Sequence, residues 1–252
     1  MKRYAGFIAL GLLSLAALWL TRENQPGHEP QSPSPATETS TVRPDTPRKP
    51  QRSDDVKTSL PTGTGFDFYV LSLSWSPAFC AGADASSNRQ QCGTGKRYGF
   101  VVHGLWPQNE SGYPEFCKSS EPDRVPDALG RTMFDIMPSM GLIGHQWRKH
   151  GSCSGLSQKE YFAATRNAFE AVALPATIAS GTRATSLSAD AIETAFTEAN
   201  PGMSRRGVSI SCDGQRFEEV RICLSKDMTF RECPELDRRG CRANTTEIIP
   251  IR

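Results

Sequence analysis

The chain has 252 residues, 29 Lys+Arg against 27 Asp+Glu, and a formal net charge of +2. That length gives room for one ordinary domain plus accessory segments. From residue 63 to the end, 21 basic residues face 21 acidic ones, so bulk charge does not drive nucleic-acid binding and any polyanion must be recognised at a local site.

Met1-Lys2-Arg3 is a positive start, and residues 4–20 form an apolar run without charge. The run reaches roughly 25 Å, slightly short of a bilayer core. Two readings stay open for residues 1–20: a cleaved signal peptide, or an uncleaved signal-anchor that leaves Lys2 and Arg3 in the cytoplasm and tethers the rest to the membrane. Both place the rest of the chain outside the cytoplasm, periplasmic or secreted. Residues 21–62 are rich in Pro, Ser and Thr and have little to bury. They read as a disordered linker, and residues 63–252 as the folded domain. Eight cysteines follow the leader: Cys80, Cys92, Cys117, Cys153, Cys212, Cys223, Cys233 and Cys241. An even number in an exported chain suits four disulfides, in any of 105 pairings.

Phe66, Phe68, Val70, Leu71, Leu73 and Trp75 trace a strand that ends at Pro77. Residues 98–102 are a short β-prone run ending at His103. Helical spacing covers 127–137, with Asp127 as N-cap and Pro138 as stop. Ser157 and Glu160 form a capping box that opens a helix towards Val172. Ser188 caps another helix to about Ala199, whose buried stripe is Ala191, Ile192, Ala195 and Phe196. Three short strands follow at 207–212, 217–224 and 228–233. The pattern predicts an α+β fold: a mainly antiparallel central sheet with flanking helices, stabilised by disulfides.

Three of the four histidines lie in two short segments, His103-Gly104-Leu105-Trp106-Pro107 and His145-Gln146-Trp147-Arg148-Lys149-His150-Gly151. On a helix, Gln146, Lys149 and His150 share one face, Trp147 points to the core, and Gly151 follows as a C′ residue. An imidazole beside an ammonium suits an anionic substrate: the cation holds it, and the imidazole moves protons near its ordinary pKa of about 6.5. Cleavage of RNA through its own 2′-hydroxyl needs a base and an acid on either side of a phosphate. His103 at a strand end and His150 on a helix could supply them.

In order and spacing these two segments resemble the paired motifs of the ribonuclease T2 family. The early Leu-Ser-Leu-Ser-Trp-Ser-Pro run and the Cys-rich tail are similar to it as well. The resemblance implies His150 as general base, His103 as general acid, Lys149 as transition-state stabiliser and His145 as phosphate ligand. It implies Trp106 and Tyr113 as base-stacking aromatics. Gln146 stands where the family carries a catalytic glutamate, which predicts weaker or pH-shifted catalysis. Gln108 stands where some members carry a base-reading aspartate, so no adenine preference follows. The implied disulfides are Cys117–Cys153, Cys212–Cys241 around Cys223–Cys233, and a local Cys80–Cys92 loop.

The implied substrate is single-stranded RNA, cut with weak base preference at acidic to neutral pH by a monomer with no cofactor. DNA lacks the attacking hydroxyl and should not be cut. A metal site is disfavoured, since His145 and His150 are five residues apart and no glutamate stands between them to complete a zinc-hydrolase helix. Arg238, Arg239 and Arg242 form a basic cluster that reads as a solvated face. Asn109 and Asn244 begin glycosylation sequons, meaningful only in a eukaryotic secretory route.

Overall fold

The computed structural model describes residues 61–82, 86–93 and 95–251. The leader and nearly all of the linker lie outside the described residues. Among the described residues, no helix is long and apolar enough to cross a membrane.

Six strands make one sheet: β1 (Phe68–Trp75), β2 (Phe100–Gln108), β3 (Thr185–Leu187), β4 (Val208–Asp213), β5 (Arg216–Leu224) and β6 (Thr246–Ile248). Their order is β2-β1-β5-β6-β3, with β4 also paired to β5. All pairings are antiparallel except the short β5–β6 contact. The helices are α1 (Ser76–Ala81), α2 (Arg89–Cys92), α3 (Asp127–Arg131), α4 (Met140–Lys149), α5 (Gln158–Glu170), α6 (Ala176–Ala179), α7 (Ala189–Ala199) and α8 (Pro234–Arg238). The α+β, mainly antiparallel architecture is the expected one.

Alternation divides the sheet into two faces. Tyr69, Leu71, Leu73 and Trp75 of β1 join Val220, Ile222 and Leu224 of β5 in the main core, with Phe162 of α5 and Phe196 of α7. Complete burial of a side chain of this size contributes roughly 2–3 kcal/mol. On the other face Phe68, Val70 and Cys223 pack with Cys233, Trp106 and Leu236. Ser72 and Ser74 share this second face with Glu219 and Arg221, and the register places Ser74 opposite Glu219 and Ser72 opposite Arg221. The sheet therefore carries a polar strip on the side away from its core.

Two of the three expected caps are present. Ser157 and Glu160 exchange both capping-box hydrogen bonds at the start of α5, and the Ser188 hydroxyl accepts from the Ala191 N–H at the start of α7. Three expectations need correction. The helix read over 127–137 stops at Arg131, and Asp127 is its first helical residue, not its cap. Gly130 weakens that helix, and the Ile136 carbonyl accepts from the Val102 N–H of β2 at 2.7 Å. The strand read over 228–233 is a single bridge, Leu224 to Phe230, because Met228 at φ 60° turns the chain. Gly151 does not end α4 in a left-handed conformation. The chain tightens into a 3-10 turn, Gly151–Cys153, and a Cβ at Gly151 would lie 2.5 Å from the Trp147 ring and 2.8 Å from that of Tyr161. Close packing sets the glycine there.

All eight cysteines are paired: Cys80–Cys92, Cys117–Cys153, Cys212–Cys241 and Cys223–Cys233. Cys117–Cys153 ties the loop after β2 to the turn after α4. It closes a 36-residue separation, for which a stabilisation of about 2–5 kcal/mol is typical.

Candidate active site

His103 lies in the middle of β2, not at a strand end. Gly104 pairs with Ser72 and Val102 with Leu73, so His103 is the extra residue of a β-bulge. A bulge re-aims the side chain it carries. The His103 Nδ1 meets the carboxylate of Glu219 on β5 at 2.6 Å. Ser74 donates to the same carboxylate at 3.4 Å, and the Arg221 Nε donates to its second oxygen at 2.7 Å.

Trp106 stands between the two imidazoles. Its ring meets that of His103 edge-on at 5.2 Å and stacks on that of His150 at 5.3 Å and 28°. The Arg221 guanidinium lies 5.5 Å from its centroid, and its indole N–H donates to the Gln146 side-chain oxygen at 2.8 Å. The indole N–H can only donate, so the Gln146 oxygen must face it and its amide N–H₂ points elsewhere. Gln146 is 1% exposed. The partly buried Trp106 ring thus packs against both histidines.

Ser139 caps α4, its hydroxyl accepting from the Leu142 N–H at 3.3 Å. The helix places His145 and Lys149 on its outer side and Trp147 in the core, where the indole donates to the Pro122 carbonyl at 2.8 Å. His150 is the C-cap residue, just past the last helical turn. It is 6% exposed, and its Nδ1 is buried without a hydrogen-bond partner. Lys149 pairs with Glu115 at 3.5 Å. The Phe116 N–H donates to the Lys149 carbonyl at 2.9 Å, which draws the loop after β2 against the end of α4.

These surroundings set the charges. Burial, then the positive charges of Lys149, His103 and His145, depress the His150 imidazole to about 3. Burial, then Lys149, Arg148 and His103, lower His145 as well. Burial opposes the charge of Glu219, but the His103 hydrogen bond and charge, followed by Arg221, hold its carboxyl down at about 2. The sign for stability follows from His150. An unfolded imidazole takes a proton below pH ~6.5, and the folded one refuses it down to about 3, so the unfolded state binds more protons across that window. Stability should therefore fall as pH drops from ~6.5 towards 3, by at most about 1.4 kcal/mol per pH unit from this group. Urea unfolding at pH 7, 5 and 4 should show the loss, and His150→Phe should flatten it. An equally steep loss in the variant would count against His150 as its source.

Two recesses contain candidate site residues, and only the first is lined by histidines. One of about 420 Å³ is lined by His103 and His145 with Phe79, Asn88, Ser139 and Leu142. The other, about 70 Å³, is bordered by Gln108 and Tyr113 with Phe68, Val70 and Leu236. Tyr113 is 51% exposed, and the Gln108 amide donates to the Pro107 carbonyl. A cavity of about 510 Å³ near Cys92, Lys96 and Ile251 contains no histidine. In the basic cluster, Arg239 pairs with Glu235 and Arg242 with Asp237, as suits a solvated face.

Three residues at the site carry no marker in the motifs: Glu219, Arg221 and Phe116. Glu219 and Arg221 alternate with Val220 and Ile222 on β5, the middle strand of the sheet, and that polar alternation was the available signal. Phe116 adopts φ 50°, is 60% exposed, and sits 6.5 Å from the His145 ring; no sequence pattern marks it.

An imidazole oriented by a carboxylate, a second held neutral across an indole, and an ammonium on the adjoining turn make a site for acid–base chemistry on an anion, in an α+β domain closed by disulfides. Residues 66–233 match the ribonuclease T2 family, and the chain belongs to that family. It is 40% identical over 121 residues to a probable ribonuclease of Haemophilus influenzae (43% of this chain, 44% of that protein). It is 45% identical over 96 residues to a ribonuclease of Aeromonas hydrophila (38% and 41%). The chain thus spans less than half the length of these two relatives. Among solved structures, an RNase-related protein from Calystegia sepium shares the fold at TM-score 0.61 and 20% identity (75% of this chain, 100% of that one). RNase NT, solved with 5′-AMP, aligns at TM-score 0.53 and 26% identity (73% and 98%).

Proposed function

We propose that the domain is an endoribonuclease that cuts single-stranded RNA, with weak base preference, by transesterification. The observation that carries this reading is the opposed setting of two imidazoles across Trp106: His103 against a carboxylate, His150 buried among cations. Burial among cations keeps the His150 ring unprotonated and able to accept a proton, which leaves the imidazole across Trp106 as the donor. His150, neutral, takes the 2′-hydroxyl proton. The 2′-oxygen bonds to phosphorus, the P–O5′ bond breaks, and His103 delivers a proton to the departing 5′-oxygen. Lys149 steadies the charge on the non-bridging oxygens, and His145 holds the phosphate. A phosphodiester seated beside the buried ring adds negative charge and raises the proton affinity of His150 above its value in the free protein. The product is a 2′,3′-cyclic phosphate, hydrolysed more slowly to a 3′-phosphate with the two roles reversed.

Tyr113 and Gln108 border the recess that would take a base. Gln146 acts through Trp106, whose indole it anchors. The imidazoles and the ammonium carry every proton and charge of the reaction, so no metal enters it. Four disulfides suit an extracytoplasmic domain, and a monomer is sufficient because all the site residues come from one chain.

The test is digestion of matched RNA and DNA oligonucleotides in excess chelator, with product ends identified. RNA should be cut to cyclic and then 3′-phosphate ends, and DNA left intact. Cleavage of DNA, or loss of RNA cleavage in chelator, would overturn the mechanism.

A further inference from the structure

We propose that Glu219 is a positioning residue that fixes the tautomer of His103 through both halves of the reaction. This rests on the reading of His103 as the proton donor. The geometry supplies the argument. Glu219 comes from β5, 116 residues away in sequence, yet its carboxylate lies 2.6 Å from the His103 Nδ1. It is only 5% exposed. The groups around it are Ser74 and Ser72 on β1, His103 on β2, Arg221 on its own strand and Ser211, its register partner on β4. Arg221 and Ser74 offer donors, so they hold the carboxylate in place without competing as acceptors for the imidazole N–H.

A buried carboxylate accepts and does not donate. Facing Nδ1, it requires a proton there, and Nε2 becomes the nitrogen that exchanges protons with substrate. In cyclisation Nε2–H goes to the leaving oxygen, and the ring is left neutral with its proton on Nδ1. In hydrolysis the Nε2 lone pair takes a proton from water. Glu219 receives no proton in either step. The bulge at His103 gives this pairing a purpose: the extra residue swings the ring to the polar strip of the sheet, and Glu219 stops it there.

The amide variant Glu219→Gln is the informative substitution. The Arg221 Nε–H and the His103 Nδ1 face different oxygens of the carboxylate, and the amide has an oxygen at only one of those two places. If the oxygen stays with Arg221, the amide N–H₂ faces Nδ1 and forces the opposite tautomer. We expect kcat to fall about 10²–10⁴-fold in both cyclisation and cyclic-phosphate hydrolysis, the range associated with general acid–base catalysis and with amide replacement of an orienting carboxylate. KM for a dinucleotide should change less than about threefold, since Glu219 does not touch the phosphate.

Ring ¹⁵N NMR of the wild-type protein at alkaline pH should show the proton of His103 on Nδ1, and Glu219→Gln should move it to Nε2. The wild-type spectrum decides the matter even if the variant fails to fold. A proton on Nε2 in the wild type, or a folded Glu219→Gln protein with unchanged kcat, would overturn the proposal. His103→Phe run alongside separates the two failures: if that variant keeps full activity, the donor assignment is wrong, whereas if only the Glu219 variant keeps it, the positioning role is wrong.

Discussion

His150→Ala should lower kcat on a dinucleotide about 10³–10⁴-fold, with the protein still folded and KM little changed. A positioned base or acid contributes roughly 10²–10⁴, and here no other imidazole can stand in. In the proposed mechanism His145 is occupied with the phosphate, and His103 is committed to Glu219. His103→Phe should lose a comparable factor. The double variant should be scarcely worse than either single one, because a base without its acid partner has little left to assist. Quenched-flow or steady-state assays of cyclic-phosphate formation, with a melting curve for each variant, provide the measurement. More than a tenth of wild-type kcat in His150→Ala would remove that residue from the mechanism. The same variant should be less sensitive to acid, since the buried ring that resists protonation is gone.

Gly104→Ala is expected to damage both fold and activity, for a reason unrelated to proton transfer. A Cβ at this position would lie 2.1 Å from the Gln146 side-chain oxygen and 2.4 Å from the Trp106 indole nitrogen. These two atoms are each other's hydrogen-bond partners, so the methyl group would wedge the pair apart. Gln146 is buried and the indole is rigid, so neither can swing away cheaply. Overpacking of this kind costs about 1–3 kcal/mol, which should appear as a lower melting temperature. Because Trp106 spaces the two imidazoles, a shift of its ring by about 1 Å could account for a 10²-fold loss of kcat. Combining Gly104→Ala with Gln146→Ala should return part of the stability by clearing room for the methyl group. A double variant no more stable than the single one would show that the clash lies elsewhere.

The parts of the site that repeat locally were legible in the sequence. Ser157 with Glu160 and Ser188 are signals read over a single turn of helix. His103 to Pro107 and His145 to Gly151 are compact motifs visible without any tertiary information. What stayed hidden depends on pairing. Nothing around His103 announces that its strand takes one residue more than β1 can match, so the ring was placed at a strand end. Glu219 is invisible beside the histidine motifs because only strand register brings it there. Helical spacing put Gln146, Lys149 and His150 together on one face. It could not show that Gln146 would be sealed under Trp106, or that His150 would lie past the last helical turn. The helix over 127–137 failed through a long-range bond as well, since the Ile136 carbonyl is taken by β2.

The bulge has one more consequence. With His103 spliced out, Val102 and Gly104 would join as ordinary neighbours opposite Leu73 and Ser72, and the ladder between β1 and β2 would run without interruption. The sheet therefore has no architectural use for this residue. It is cargo carried by the scaffold, and a shortened chain could gain a neater sheet while forfeiting its chemistry. Selection for sturdiness and selection for turnover pull in opposite directions at this point in the backbone.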